Sequence, residues 1–205
     1  MSEDKINIAV LVSGGGSNLQ AIMDGIASGA IRNARVGLVL SSRSDVRALE
    51  RAAKAGLDAA VVGAESFPGE AERTAEILRL LAEAQTGMIV LAGYMSILPP
   101  DVVKAYEGRV INIHPSLIPK HCGKGYYGKR VHRSVLDAGD GESGATVHFV
   151  DEGVDTGEII LQRSAPVLQG DTPETLAARV LEIEHEIIVE ATARICASLT
   201  KECGA

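Results

Sequence analysis

Short, nearly all-apolar runs alternate along this chain with longer stretches in which apolar residues return every three or four positions. The runs are 6–12 (INIAVLV), 35–40 (RVGLVL), 58–62 (DAAVV), 87–92 (GMIVLA) and 109–113 (RVINI). Strands covered on both faces have this pattern. Two more strands are read at 144–150 (GATVHFV) and 158–163 (EIILQR). Helical periodicity fills 18–28, 44–55 and 69–84, with a shorter stretch near 100–106. The longest helical signal is 173–200, where Leu176, Val180, Ile183, Ile187, Ala191, Ile195 and Leu199 make one apolar stripe. Thr172 can cap that helix, with Pro173 at its first position. This order predicts an α/β protein: an open, twisted, mostly parallel sheet of about seven strands with helices on both faces. No internal repeat or Pro/Ser-rich linker interrupts it, so one domain over 1–205 is expected.

The chain has 205 residues, 46% hydrophobic and 23% charged, which excludes a disordered or collagen-like protein. Its net charge of −7 makes it a poor general binder of nucleic acid. With 3% aromatics and no Trp, it has no stacking platform for single strands. Cys122, Cys196 and Cys203 form no C-x-x-C pair, which suits neither a disulfide framework nor a zinc site and fits a reducing cytosol. The polar start Met1–Lys5 and the short run after it lack the features of a signal peptide. No run approaches the ~20 apolar residues of a membrane span. A cytoplasmic protein without metal or membrane contact is expected.

Val12-Ser13-Gly14-Gly15-Gly16-Ser17-Asn18 joins the first strand to the first helix. Three glycines let an anion approach the backbone, and the helix start offers unpaired N–H groups. Ser17 and Gln20 read as a capping box. Leu19 stands where a dinucleotide fingerprint needs its third glycine, and no Gly-Lys-Ser/Thr follows. The loop is therefore a phosphate cradle of another kind or a plain tight turn.

In Asn112-Ile113-His114-Pro115, the strand period puts Asn112 and His114 on one face, about 7 Å apart. Pro115 ends the ladder there. An amide donor and an imidazole at a strand's carboxyl end can stabilise an oxyanion and move a proton. Alternatively, the histidine simply finishes a strand. Downstream, Asp151-Glu152-Gly153-Val154-Asp155-Thr156-Gly157 is an acidic loop, and Asp155 is best placed to turn inward and favour imidazolium at His114. His148 alternates with Val147 and Phe149 and is read as a structural or supporting residue. His121, His132 and His185 carry no pattern of their own.

In this order, Ser13–Asn18, Asn112-Ile113-His114-Pro115-Ser116-Leu117-Ile118-Pro119 and His148–Gly157 resemble the folate-dependent formyltransferases. The glycine loop narrows this to the phosphoribosylglycinamide formyltransferase branch. The resemblance runs over nearly the whole chain and implies a Rossmann-like fold. It also implies transfer of a formyl group from 10-formyltetrahydrofolate to the amine of N1-(5-phospho-D-ribosyl)glycinamide, in de novo purine biosynthesis. No metal or prosthetic group is implied, with 10-formyltetrahydrofolate a co-substrate. Both partners are small molecules, and a homodimer is compatible with them. Carried over by position, Asn112, His114 and Asp155 are the catalytic trio, with protonated His114 and Asn112 holding the oxyanion. Gly14, Gly15, Gly16, Ser17 and Asn18 would cradle the substrate phosphate, and Glu184 would hold the nucleotide. Met95, Ser96, Ile97, Leu98 and Asn112 would contact the folate, with Asp151, Glu152, Gly153, Val154 and Asp155 closing the other side.

The sequence departs from the family pattern in three places. Ser96 follows Met95 where Arg is common, and Glu70, with Arg73 nearby, aligns where many members place an Arg on the folate tail. The segment Lys120–Arg130 is longer than is typical and basic, either a solvated loop or a lid that attracts anions. Rival readings are a methionyl-tRNA formyltransferase, a formyltetrahydrofolate hydrolase and a non-catalytic phosphate-binding protein. Chain length argues against the first two.

Overall fold

The computed structural model describes residues 5–202, so Met1–Asp4 and Cys203, on which part of the targeting and cysteine expectations fall, lie outside the described residues. The elements run β1 (Ile6–Val12), α1 (Ser17–Ala27), β2 (Ala34–Ser41), α2 (Arg47–Lys54), β3 (Ala59–Val61), α3 (Glu70–Glu83) and β4 (Thr86–Leu91). They continue with α4 (Pro100–Ala105), β5 (Val110–His114), α5 (Lys129–Ala138), β6 (Glu142–Phe149), β7 (Ile159–Pro166) and α6 (Pro173–Glu202). The seven strands form one sheet in the order β3-β2-β1-β4-β5-β6-β7. The pairings from β3 to β5 are parallel, and those of β6 with β5 and β7 are antiparallel. This is the expected α/β architecture.

The two-residue period of the strands explains the layers. Ile8, Val10 and Val12 of β1 point into one core with Leu19 and Ile22 of α1 and Val180, Ile187 and Ala191 of α6. Ala9 and Leu11 point into the other, with Ile77 and Leu81 of α3 and Val102 and Val103 of α4. Full burial of a Leu, Ile or Val stabilises by about 1.5–3 kcal/mol, so a strand buried on both faces is held from both sides. β5 departs from this rule where it matters. Ile111 and Ile113 enter the first core, while Asn112 and His114 share the opposite face.

The cap of α6 is as expected, with the Thr175 N–H donating to Thr172 Oγ1 at 3.3 Å. The capping box of α1 is not made. Gly16 in the left-handed region (φ 70°, ψ 29°) occupies the cap, Ser17 is already helical, and no side chain caps the first turn. α5 was not anticipated. Its N-terminal flank is so rich in Gly and Tyr that its helical period, with Val131, His132 and Val135 buried, does not stand out. Among the described residues, no helix is long and apolar enough to cross a membrane.

Candidate active site

β1 lies between β2 and β4, where the strand order reverses, so the loops leaving β1 and β4 diverge from a crevice at the carboxyl edge. The glycine loop fills one side of it. A Cβ on Gly16 would lie 2.7 Å from Ala48 Cβ and 2.8 Å from Ala48 Cα, so only glycine lets α2 pack here. The Ala48 N–H donates to Gly14 O at 3.1 Å. Arg51 Nε donates to Gly15 O at 2.9 Å and its Nη1 to Gln20 Oε1 at 3.0 Å. Gly14 and Gly15 are exposed, and nothing stands within 4 Å of a Cβ at either. The backbone is thus open towards solvent at the uncapped start of α1, where unpaired N–H groups favour an anion.

These two kinds of glycine separate experimentally. Gly16→Ala is expected to lower stability by about 1–3 kcal/mol, the usual cost of forcing atoms into a packed site. Gly15→Ala should leave the denaturant midpoint nearly unchanged and raise KM for a phosphorylated substrate. Equal destabilisation by both changes would mean that the loop is only a turn.

α6 brings a carboxylate to the loop. Asn18 Nδ2 donates to Glu184 Oε2 at 2.8 Å. Enclosure by protein pushes the Glu184 carboxyl up to about 7, although the Asn18 bond opposes this. Asn18 Oδ1 is buried without a hydrogen-bond partner among the described residues.

The polar face of β5 carries the second group. Asp155 sits in a tight turn with φ 58°, which aims its carboxylate back at the strand. His114 Nδ1 lies 3.4 Å from Asp155 Oδ2, and Asn112 Nδ2 donates to Asp155 Oδ1, also at 3.4 Å. The Gly123 N–H donates to Asp155 Oδ2 at 2.8 Å. His148 stands directly opposite Asn112 in the antiparallel β5–β6 ladder. Its Nε2 accepts from Asn112 Nδ2 at 3.1 Å, and its Nδ1 donates to Phe149 O at 2.7 Å. Asn112, His114, Asp155 and the supporting His148 therefore form one connected cluster.

Burial opposes the charge expected on His114. Burial pushes its pKa down and outweighs the pull of Asp155 and of the His121 carbonyl, while His148 pushes it down further. The ring is held below its ordinary value. Burial raises Asp155, but His148, His114 and the Gly123 N–H together hold it below its ordinary value.

A cavity of about 640 Å³ opens over this cluster. Met95, Ser96, Ile97 and Leu98, in the loop after β4, line one side, and Asp151–Asp155 line the other. Ile97 is 72% exposed at the rim, whereas Leu98 is buried. The cavity extends to Glu184, but the glycine loop does not line it, so Glu184 and Asn18 link the two regions. Lys124, Tyr126 and Tyr127 form another part of the wall. The basic segment thus lines the cavity while Lys124–Arg130 stay exposed to solvent. Arg73 donates to Phe67 O at 2.7 Å and, like Glu70, does not line the cavity. His132 of α5, without a sequence signal, is buried against the cavity, and burial next to His114 lowers it to about 4. Among the described residues, no cluster of His, Cys, Asp and Glu could hold a metal ion.

This fold and cluster define a class. The family model described as formyl transferase matches residues 6–192, and the chain belongs to the formyl transferase family. It is 42% identical to the phosphoribosylglycinamide formyltransferase of Escherichia coli (strain K12), covering 89% of this chain and 83% of the relative. It is 46% identical to the trifunctional purine biosynthetic protein adenosine-3 of Drosophila pseudoobscura pseudoobscura, covering 90% of this chain but only 13% of the relative's length. Among solved structures, glycinamide ribonucleotide transformylase 1 from Symbiobacterium toebii superposes with a TM-score of 0.89 at 40% identity, covering 97% of this chain and 90% of that one. A formyltetrahydrofolate deformylase from Pseudomonas syringae pv. tomato shares the fold, with a TM-score of 0.85 at 24% identity over 95% of this chain and 62% of that one.

Proposed function

We propose that the chain transfers the formyl group of 10-formyltetrahydrofolate to the amine of N1-(5-phospho-D-ribosyl)glycinamide, in purine biosynthesis. The observation that carries this reading is the convergence of Asn112 and His114 on Asp155, each at 3.4 Å, beneath a largely apolar cavity. The amine attacks the formyl carbon, a C–N bond forms, and the carbonyl electron pair moves to oxygen. Asn112 can donate to that oxygen by giving up its long bond to Asp155. Neutral His114 takes the proton that the amine sheds. The imidazolium so formed lies against Asp155 and faces the oxyanion, so the charge appears only when it is useful. Collapse breaks the bond to the folate nitrogen, and the proton passes to that nitrogen through His114 and Asp155.

In this reading Gly14–Asn18 take the phosphate and Glu184 the nucleotide, while Met95–Leu98 and Asp151–Asp155 take the pteridine. Ile97 and Met95 offer apolar surface for a flat ring. The reading includes no prosthetic group, metal, nucleic acid or membrane, and a cytoplasmic setting.

An assay with both substrates, and water as the control acceptor, tests it. Formyl transfer that depends on the ribonucleotide amine is expected. Formate released at one rate with or without that amine would make the protein a hydrolase. Binding of the phosphorylated ligand without turnover would leave only a binding protein.

A further inference from the structure

His121 lies between the end of β5 and α5, in a conformation that a side-chain-bearing residue seldom adopts, φ 52°. Its carbonyl lies 3.0 Å from His114 Nε2. A carbonyl can only accept, so the bond requires the hydrogen of His114 to sit on Nε2. The neutral ring then has its lone pair on Nδ1, the nitrogen 3.4 Å from Asp155.

The His121 side chain is held at both nitrogens. Nε2 is 3.0 Å from Asp140 Oδ2, and the low pKa of Asp140, due first to His121 and then to Lys120, means an ionised acceptor. Nε2 therefore carries the hydrogen, and Nδ1 accepts from Ser134 Oγ on α5 at 2.6 Å. Lys120 Nζ also bonds Asp140, and Ser116 Oγ donates to Lys120 O at 2.6 Å, which fixes the neighbouring peptide. A side chain pinned to α5 and to the turn after it thus holds the backbone in an unfavourable conformation, which persists only when the surroundings over-determine it.

We infer that His121 is a positioning residue: clamped by Ser134 and Asp140, it presents its own carbonyl to His114, fixes that ring's hydrogen on Nε2 and reserves Nδ1 for proton exchange. This rests on the reading of His114 as the proton-transfer group. The consequence for chemistry is an orientation. The proton shed by the amine can enter only at Nδ1, on the side of Asp155, and leaves from the same atom.

Nitrogen-15 NMR of histidine-labelled full-length protein reads the tautomer without any turnover, so its outcome is separate from that of the formyl transfer assay. The wild type should show His114 with hydrogen on Nε2 in its neutral form. His121→Asn is the variant of choice, because Asn tolerates the left-handed backbone and is too short to bridge both partners. It should give mixed tautomers at His114 and lower kcat roughly 10- to 100-fold, the scale of a small misplacement, with both KM values little changed. Released from the clamp, the carbonyl of residue 121 moves off His114 Nε2 and weakens a bond that favours imidazolium, so the acid limb of the pH profile should move to lower pH. The other groups facing the ring are Asp155, His148 of β6 and His132 of α5, and all remain in the variant. Should His121→Asn fail to fold, Ser134→Ala cuts one bond of the clamp and should shift tautomer and kcat in the same direction by less. A wild-type His114 with hydrogen on Nδ1 would overturn the inference. So would a variant that folds and keeps both the pure Nε2 tautomer and full kcat.

Discussion

Replacing His114 with Ala is expected to lower turnover by roughly 10²–10⁴-fold, the contribution of a positioned acid–base group. Three observations set this size. The ring is buried, its Nε2 is tied to the His121 carbonyl, and its Nδ1 faces Asp155 at the end of a rigid strand. On the proposed reading the KM of the nucleotide should change little, because that reading gives the phosphate to the glycine loop and the nucleotide to Glu184. The pH profile is the sharper readout. A base must be unprotonated to act, and burial holds His114 below its ordinary 6.5, so activity should persist somewhat below that pH before it declines. In His114→Ala the residual rate should lack that limb. Full activity, or the same limb in the variant, would remove His114 from the proton path.

Asp155→Asn should cost a comparable factor, about 10²–10⁴, by a different route. Asn keeps the shape and accepts the left-handed turn conformation, so the change removes the charge and one of the two acceptors used by Asn112 and Gly123. Asp155, more than the His121 carbonyl, pulls the His114 pKa upward against burial. Without it, imidazolium loses its partner just as it forms, and the acid limb should move to lower pH while kcat falls. An unmoved limb together with a large loss of kcat would show that Asp155 orients the ring without stabilising its charge. Normal kcat would exclude it from catalysis.

Some of this was legible in the chain and some was not, for physical reasons. The strands could be read because burial on both faces writes continuous apolar runs. Asn112 and His114 break such a run at every second position. The glycine loop was visible for the same kind of reason, since Gly14–Gly16 interrupt a strand–helix junction. What acts through contacts distant in sequence left no local mark. His148 joins the cluster because antiparallel pairing sets it opposite Asn112, a register that neither strand encodes alone. His121 works through its peptide carbonyl, for which no residue type is a signature. A carboxylate near His114 is visible in sequence, but the depth of burial that opposes charge on the ring is not. Gly16 took the cap assigned to Ser17 because Ala48, more than thirty residues away, leaves room for nothing larger.

The Ser13 hydroxyl bonds Ser42 Oγ at 2.6 Å and accepts the Met95 N–H at 2.8 Å, so it ties the end of β1 to the loops after both β2 and β4. The two halves of the crevice therefore share one hydroxyl oxygen as a side-chain tie. A molecule that moved Ser13 from the glycine side would move the partner of the Met95 N–H with it. Any coupling carried by Ser13 would, by thermodynamic reciprocity, act equally in both directions.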